Sequence, residues 1–205
     1  ALGRRWVGPQ LGAFAARHPQ LNLRLSLSDR VVDMLDNAID LAVRIGAQPD
    51  SRLVSRRLAG NRRLICAAPG YLQRHGTPRV PQDLLQHQCL ILQRAGMPLQ
   101  SWSFQTERGL ESIRVQGRLS ADSGEQLADW ARAGLGLAIK SSWDVVEDLA
   151  SGSLVTVLDD FCGPEMDIHL VYPTRQFVPN RLRLLIDFLL ERFAQAEAEQ
   201  QRPTH

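Results

Sequence analysis

Residues 21–46 read LNLRLSLSDRVVDMLDNAIDLAVRIG, and this stretch holds the clearest hydrophobic periodicity of the chain. Leucines alternate with polar residues over 21–27, which is the two-residue period of a half-buried strand. Apolar residues then recur at helical spacing over 31–35, and a second alternating run follows over 39–45. A strand, a helix and a strand in this order predict a βαβ unit with two parallel strands, because a parallel pair needs such a crossover.

Polar residues stand near the carboxyl ends of both predicted strands. Ser28 and Asp29 follow the first strand, and Arg44 lies near the end of the second. In open α/β sheets, ligands bind beyond the carboxyl ends of the strands, so these residues are candidates for ligand contact. Two structural alternatives stay open: Ser28 and Asp29 are good helix N-caps, and Arg44 could form an ion pair with Asp29.

The composition is that of a globular protein without a strong net charge. The 205 residues include 24 Lys+Arg and 22 Asp+Glu, for a formal net charge of +2. We therefore expect no whole-chain field that attracts nucleic acid, and room for one large or two small domains. No apolar run approaches the roughly 20 residues that span a bilayer, so no membrane partner is expected.

Three cysteines, Cys66, Cys89 and Cys162, lie far apart in the chain. This spacing matches neither a disulfide framework nor a zinc site. We predict buried free thiols in a cytoplasmic protein.

A second turn with similar chemistry begins at Ser120. Ser123 and Gln126 have the spacing of a capping box, in which the serine oxygen accepts a hydrogen bond from an early helix N–H. A helix is predicted to follow and to end before Gly134, and Ser142 is placed to cap a further helix. The hydroxyl of Ser123 is therefore a cap, a ligand contact, or both.

The rest of the chain predicts further regular elements. Pro9 suits the first turn of a helix, and Pro179 opens a long amphipathic one. Two strand-like runs, 53–58 and 63–67, are separated by Gly60-Asn61, a sequence that favours a hairpin.

Motifs of catalysis are lacking. The five histidines have no metal-ligand spacing, and the sequence contains neither a Gly-x-Ser-x-Gly elbow nor a P-loop. The arginines at 52, 56, 57, 62 and 63 lack interleaved aromatics, which favours a solvated face or a partner-domain contact over phosphate binding. We predict a protein that is not an enzyme and that needs no metal or cofactor.

Taken together, the chain resembles the effector-binding (co-inducer) domain of LysR-type transcriptional regulators. The resemblance covers nearly the whole chain, and its pieces come in the order of the family. They are Pro9-x-Leu11-x-x-Phe14, His18-Pro19, Ser28-Asp29-Arg30 with Val32-Asp33, Ile39 to Gly46, Arg57-Leu58, Cys66-Ala67-Ala68-Pro69-x-Tyr71-Leu72, His87-x-Cys89-Leu90, Trp102-x-Phe104, Ala133 to Ile139, and Gly152-x-Leu154-Val155-x-Val157-Leu158.

The resemblance implies an α/β fold of two Rossmann-like subdomains of periplasmic-binding-protein type, joined by two crossing strands near Cys66 and Ile168. Subdomain I would comprise 1–67 plus 168–205, and subdomain II would comprise 68–167, with an effector cleft between them. The family's first strand and its winged helix-turn-helix are expected to be absent from this chain. Operator DNA would then be bound only through that missing N-terminal domain.

By position, the resemblance assigns the small-molecule effector to the βα turns of both subdomains. The corresponding residues are Gly3, Arg4, Ser28, Asp29, Arg44, Ser120, Asp122 and Ser123. Asp29 and Asp122 would repel a carboxylate ligand, which favours an amine, a hydroxylated compound or a zwitterion.

The resemblance also implies a homodimer or homotetramer, in which the elements at 9–17 and 21–27 of one chain pack on the helix at 124–133 of another. Effector binding would then change the angle between subdomains and so change the relative positions of the attached DNA-binding domains. The alternative function is a free-standing solute-binding protein of a transport system.

Overall fold

The computed structural model describes residues 2–28, 33–46, 50–163, 165–174 and 178–200. The chain divides into two compact units. A terminal unit comprises Leu2–Asn61 with Met166–His205, and a central unit comprises Arg62–Glu165. In the described residues, no helix is both long enough and apolar enough to cross a membrane.

Helices and strands alternate through much of the chain. The helices are α1 (Gly8–Arg17), α2 (Pro69–His75), α3 (Gly124–Arg132), α4 (Ser142–Ser151) and α5 (Asn180–Gln200), with a π-helical segment at Gly3–Val7 and 3₁₀ helices at Pro81–Gln86 and Asp159–Phe161. The strands are β1 (Ala42–Ile45), β2 (Leu53–Ala59), β3 (Arg63–Ala67), β4 (Ile91–Arg94), β5 (Met97–Pro98), β6 (Ser101–Thr106), β7 (Gly109–Arg114), β8 (Ser120–Ala121), β9 (Ala138–Ser141), β10 (Val155–Val157) and β11 (Ile168–Pro173).

The terminal unit is built on an antiparallel sheet in the order β1-β11-β2. The central strand β11 buries Ile168, Leu170 and Val171 completely. Helices α1 and α5 contact each other in the same unit: the rings of Phe14 and Phe188 lie with their centroids 5.3 Å apart. Burial of apolar surface between sheet and helices stabilises this unit.

The central unit has a mixed sheet with apolar residues on both faces. Strand β3 lies between β10 and β9 and is antiparallel to both. Hydrogen bonds from Leu90 N to Leu137 O (2.7 Å) and from Leu137 N to Gln88 O (2.9 Å) connect the start of β9 to the start of β4. Strand β4 in turn runs parallel to β8. One face packs on Tyr71 and Trp102, and the other on α3 and α4.

The two compact units divide at 61/62 and 165/166, and the predicted subdomain bounds at 67/68 and 167/168 stay a prediction. The whole of β3 pairs within the central unit, with β9 and β10. This division therefore keeps β3 in one unit with both strands that it pairs with.

The predicted strand at 21–27 is wrong, since these residues have no strand pairing in the structure. Leu23, Leu25 and Leu27 are 39%, 44% and 48% exposed. Alternation produces a strand only when a neighbouring strand satisfies the backbone N–H and C=O groups, and none in the described ranges does so.

The predicted parallel pair is also wrong for the described residues. The predicted helix falls partly on 29–32, outside those residues, and the chain at 34–38 forms turns. Asp33 Oδ1 accepts hydrogen bonds from Leu35 N (2.8 Å) and Asp36 N (3.2 Å), which favours a turn over a continued helix. The second strand exists as β1, but it pairs antiparallel with β11.

The hairpin predicted at Gly60-Asn61 is wrong as well. Strands β2 and β3 form where the alternation predicts them, but β2 pairs with β11 and β3 pairs with β9 and β10. The segment at Gly60-Asn61 therefore passes from one unit to the other.

The three cysteines are free thiols, as predicted, and Cys66 and Cys89 are buried while Cys162 is partly buried. Burial raises the pKa of both Cys66 and Cys89 to about 12, because the thiolate is poorly solvated there.

Candidate functional site

Three strands of the central unit end at one edge of its sheet. Strands β9, β4 and β8 run parallel, so their last residues, Ser141, Arg94 and Ala121, lie at the same edge. Antiparallel strand β3 begins there, with Arg63 opposite Ser141. This carboxyl edge, which gathers the starts of α3 and α4, is where open α/β sheets bind ligands.

The predicted residues Ser120, Asp122 and Ser123 come together at the carboxyl edge. Ser120 Oγ accepts a hydrogen bond from Gln93 Nε2 at 2.8 Å. Ser123 is the N-cap of α3, and its Oγ accepts from Gln126 N at 3.4 Å, as the capping-box spacing predicts. Asp122 is exposed between them. The turn thus presents two hydroxyl groups, a carboxylate and the positive end of a helix dipole.

Lys140 holds this turn in place and is missed by sequence reasoning. Its side chain is 4% exposed, and its Nζ lies 2.7 Å from Gly124 O and 3.0 Å from Asp144 Oδ2. The ammonium group therefore connects the first residue of α3 to the first turn of α4. The only signal in the sequence is that Lys140 is the single lysine of the chain.

Helix α4 begins one residue earlier than predicted, with Ser141 rather than Ser142 as its N-cap. Ser141 Oγ accepts from Trp143 N at 3.3 Å. Ser142 is the first residue of α4, and its Oγ accepts from Arg62 N at 3.3 Å.

Arg63 and Arg94 bring two positive charges to the carboxyl edge. Burial lowers the pKa of the Arg63 guanidinium, and the neighbouring charge of Arg94 lowers it further. Among the described residues, neither guanidinium has a hydrogen bond or ion pair. Arg63 belongs to the arginine group predicted to be a solvated face. Two other members match that prediction better, because Arg52 and Arg57 are exposed and pair with Asp50 and with Asp167.

The candidates of the terminal unit occupy several elements. Gly3 lies in the π-helical segment, where an added Cβ would meet Leu27 Cδ2 at 2.6 Å, so the segment lies against the residue before Ser28. Arg4 and Ser28 are exposed. Arg44 lies in β1 opposite His169 of β11 and is partly buried. Asp29, and with it the predicted pair with Arg44, lies outside the described residues.

A cavity of about 290 Å³ lies at the opposite edge of the central sheet. It is lined by Gln88, Cys89, Leu90, Arg118, Leu119 and Leu135. These residues come just before β4, β8 and β9, so the cavity is separate from the carboxyl edge. Over the described ranges, no group of three His, Cys, Asp or Glu residues could hold a metal ion.

Comparison with known families decides what kind of domain this is. Residues 1–194 match the family model described as the LysR substrate binding domain. The chain belongs to this LysR family. Its curated relatives are named HTH-type transcriptional regulators or activators.

Curated relatives of the LysR domain are longer proteins. The present chain is 37% identical over 194 residues to the HTH-type transcriptional regulator DmlR of Escherichia coli K12. It is 33% identical over 188 residues to the HTH-type transcriptional activator TtdR of the same strain. These alignments cover 95% and 92% of this chain but 63% and 60% of the relatives. The LysR domain thus spans about three-fifths of their length.

Solved structures confirm the predicted fold class, α/β with subdomains of periplasmic-binding-protein type. The CrgA regulatory domain of Neisseria meningitidis aligns with a TM-score of 0.81 and 30% identity, covering 94% of each chain. The full-length virulence activator AphB of Vibrio cholerae aligns with a TM-score of 0.80 and 30% identity, covering 93% of this chain and 64% of AphB.

Proposed function

We propose that this LysR domain binds a small-molecule effector and that the carboxyl edge of its central unit supplies part of the binding site. The observation that carries the proposal is the turn at Ser120, Asp122 and Ser123, which begins α3 at the edge where open sheets bind ligands. Hydroxyl groups and helix N–H groups suit polar recognition of a metabolite. The proposed role is binding rather than catalysis.

A second group of contacts is proposed in the terminal unit. Gly3, Arg4, Ser28, Asp29 and Arg44 are its members, on the basis of the family resemblance. The packing of Gly3 against Leu27 supports the grouping of the first three, because it brings the π-helical segment close to Ser28. Each group can be tested by itself.

In the whole protein, we propose that effector binding controls transcription through an attached winged helix-turn-helix that contacts operator DNA. The names of DmlR and TtdR as HTH-type regulators support this, as does the greater length of both relatives. A cytoplasmic protein without a cofactor is part of the same proposal. Assembly as a homodimer or homotetramer would place two or more DNA-binding domains in one particle.

The experiment is a thermal-shift screen of small metabolites on the 205-residue chain, followed by titration of any compound that stabilises it. An effector should raise the melting temperature with increasing concentration, because it binds only the folded state. Ser120→Ala should weaken its binding about tenfold through the loss of one hydrogen bond. Ser123→Ala also removes a helix cap, so its effect is read from ligand affinity and not from melting temperature alone.

The matched control is Ser103→Ala, which changes an exposed serine on β6 of the same unit. Its affinity for the compound should equal that of the unaltered chain. If both Ser120→Ala and Ser123→Ala bind the compound as tightly as the unaltered chain does, the assignment of these residues is contradicted. The absence of any stabilising metabolite would contradict effector binding itself.

A further inference from the structure

Arg63 sits at the first position of β3 with a charge that the surrounding structure does not neutralise. The residue is partly buried, and its backbone is held in the ladder opposite Ser141. Within the part of the chain that the structure describes, its guanidinium forms no ion pair or hydrogen bond. Removing a cation from water without a partner is unfavourable, so such a group normally meets a counter-charge.

Arg94 adds a second positive charge and makes the position of Arg63 still less favourable. It is exposed at the last position of β4, at the same carboxyl edge where Arg63 begins β3, and its charge lowers the pKa of the Arg63 guanidinium. Two like charges repel, and their repulsion is screened only in part when one of them is buried.

The acidic groups of α4 do not neutralise the two arginines. Asp144 is held by Lys140 at 3.0 Å, and Asp148 is held by Arg132 at 2.7 Å. Asp122 and Glu125 lie in the turn and first residues of α3, and Asp122 is exposed. In the described residues, none of these acidic groups forms an ion pair or hydrogen bond with Arg63 or Arg94.

We propose that Arg63 and Arg94 form an anion-binding pair that receives a carboxylate or phosphate group of the ligand at the carboxyl edge. Guanidinium groups bind such oxyanions through paired N–H donors. The starts of α3 and α4 lie at the same edge and add favourable dipoles for an anion. Ser120 and Gln93, whose side chains bond to each other at 2.8 Å, lie at this edge and can contribute further hydrogen bonds to the anion.

This inference rests on the proposed effector-binding function and names the chemical class of the effector. It differs from the sequence-based expectation of an amine, a hydroxylated compound or a zwitterion, which rested on Asp29 and Asp122 alone; of these classes, only a zwitterion carries an anionic group. The physical reason is position: Asp122 is exposed and well solvated, whereas Arg63 is partly buried and keeps more of its electrostatic effect.

The test compares malonate and inorganic phosphate with malonamide, the neutral diamide of malonate. Isothermal titration of the 205-residue chain at low ionic strength should show binding of at least one anion and none of malonamide. Arg63→Gln should weaken anion binding about tenfold or more, and Arg94→Gln should weaken it less because Arg94 is more exposed. Arg63→Lys keeps the positive charge but loses the paired N–H donors of the guanidinium. It should therefore bind the anions more tightly than Arg63→Gln and less tightly than the unaltered chain.

Arg108→Gln is the matched control, since Arg108 is an exposed arginine in the β6–β7 turn of the same unit. It should bind the anions as the unaltered chain does. The melting temperature of unliganded Arg63→Gln should equal or exceed that of the unaltered chain, because an unneutralised charge has been removed. A large drop would assign Arg63 a structural role and overturn the proposal.

Two further outcomes separate this inference from the function on which it rests. Equal binding of malonate and malonamide, or unaltered anion affinity in Arg63→Gln and Arg94→Gln, overturns the anion pair. A neutral metabolite that stabilises the chain, and whose affinity depends on Ser120 but not on Arg63, overturns the anion pair and leaves effector binding intact.

Discussion

Lys140 shows how a single buried charge can organise a site. Its ammonium group bonds to Gly124 O and to Asp144, and both side chains of the ion pair are almost completely buried. Nothing in the local sequence predicts this, because Gly124 and Lys140 are brought together by the pairing of strands and the packing of α3 on β9.

We predict that Lys140→Met lowers the free energy of unfolding by about 3–5 kcal/mol, since it leaves Asp144 buried without a cation. The double change Lys140→Met with Asp144→Leu should recover most of that loss, because neither charge then remains. Urea unfolding followed by tryptophan fluorescence gives both values.

Arg52→Gln supplies the comparison for that measurement. The pair of Arg52 and Asp50 is solvent-exposed, so its loss should lower the free energy of unfolding far less than the loss of the buried pair. If Lys140→Met is no more harmful than Arg52→Gln, the buried pair does not stabilise the turn.

At the scale of elements, short-range signals predict best. The cap of α3 by Ser123 and the left-handed Gly134 after it depend on atoms a few residues apart, and both are found. The strand at 21–27 and the hairpin at Gly60-Asn61 depend on which strand lies alongside. Alternation contains no information about that partner, so both predictions are wrong.

Two glycines differ in the space that an added side chain would have. A Cβ on Gly117 would lie 1.7 Å from Cys89 O, whereas one on Gly12, in the middle of α1, would meet nothing within 4 Å. Gly117→Ala should therefore destabilise the chain by about 3 kcal/mol or more, through displacement of the strand at Cys89. Gly12→Ala should stabilise it by about 0.5–1 kcal/mol, because alanine has the higher helix propensity.

Thermal melting of the two glycine variants is the measurement. Opposite signs are expected, with Gly117→Ala melting below the unaltered chain and Gly12→Ala above it. A Gly117→Ala variant as stable as the unaltered chain would show that the backbones at 89 and 117 do not approach as closely as described.

At the scale of the whole molecule, the exposed leucines at 23, 25 and 27 support the proposed homo-oligomer. Apolar side chains in a row at the surface are typical of interaction sites. Light scattering should give a molar mass above the 22.9 kDa of one chain. Leu23→Asp should shift the mass toward that of the monomer, because an aspartate cannot be buried at an apolar interface without a partner.

Leu85→Asp is the control for the assembly experiment. Leu85 is 59% exposed on the 3₁₀ helix of the central unit, which is not one of the proposed interface elements. It should leave the molar mass unchanged. A monomer at high concentration in the unaltered chain would contradict the proposed homo-oligomer.

The sequence by itself determined the family, most of the helices and strands, and the capped turn at Ser120 to Ser123. These features follow from residue types and local spacing, which do not depend on distant parts of the chain. The tertiary structure alone decided that β2 and β3 belong to different units, that Lys140 anchors α3, and that Arg63 and Arg94 share an edge where the described residues form no ion pair with them. Those facts arise from contacts between residues far apart in the chain, which hydrophobic periodicity does not encode.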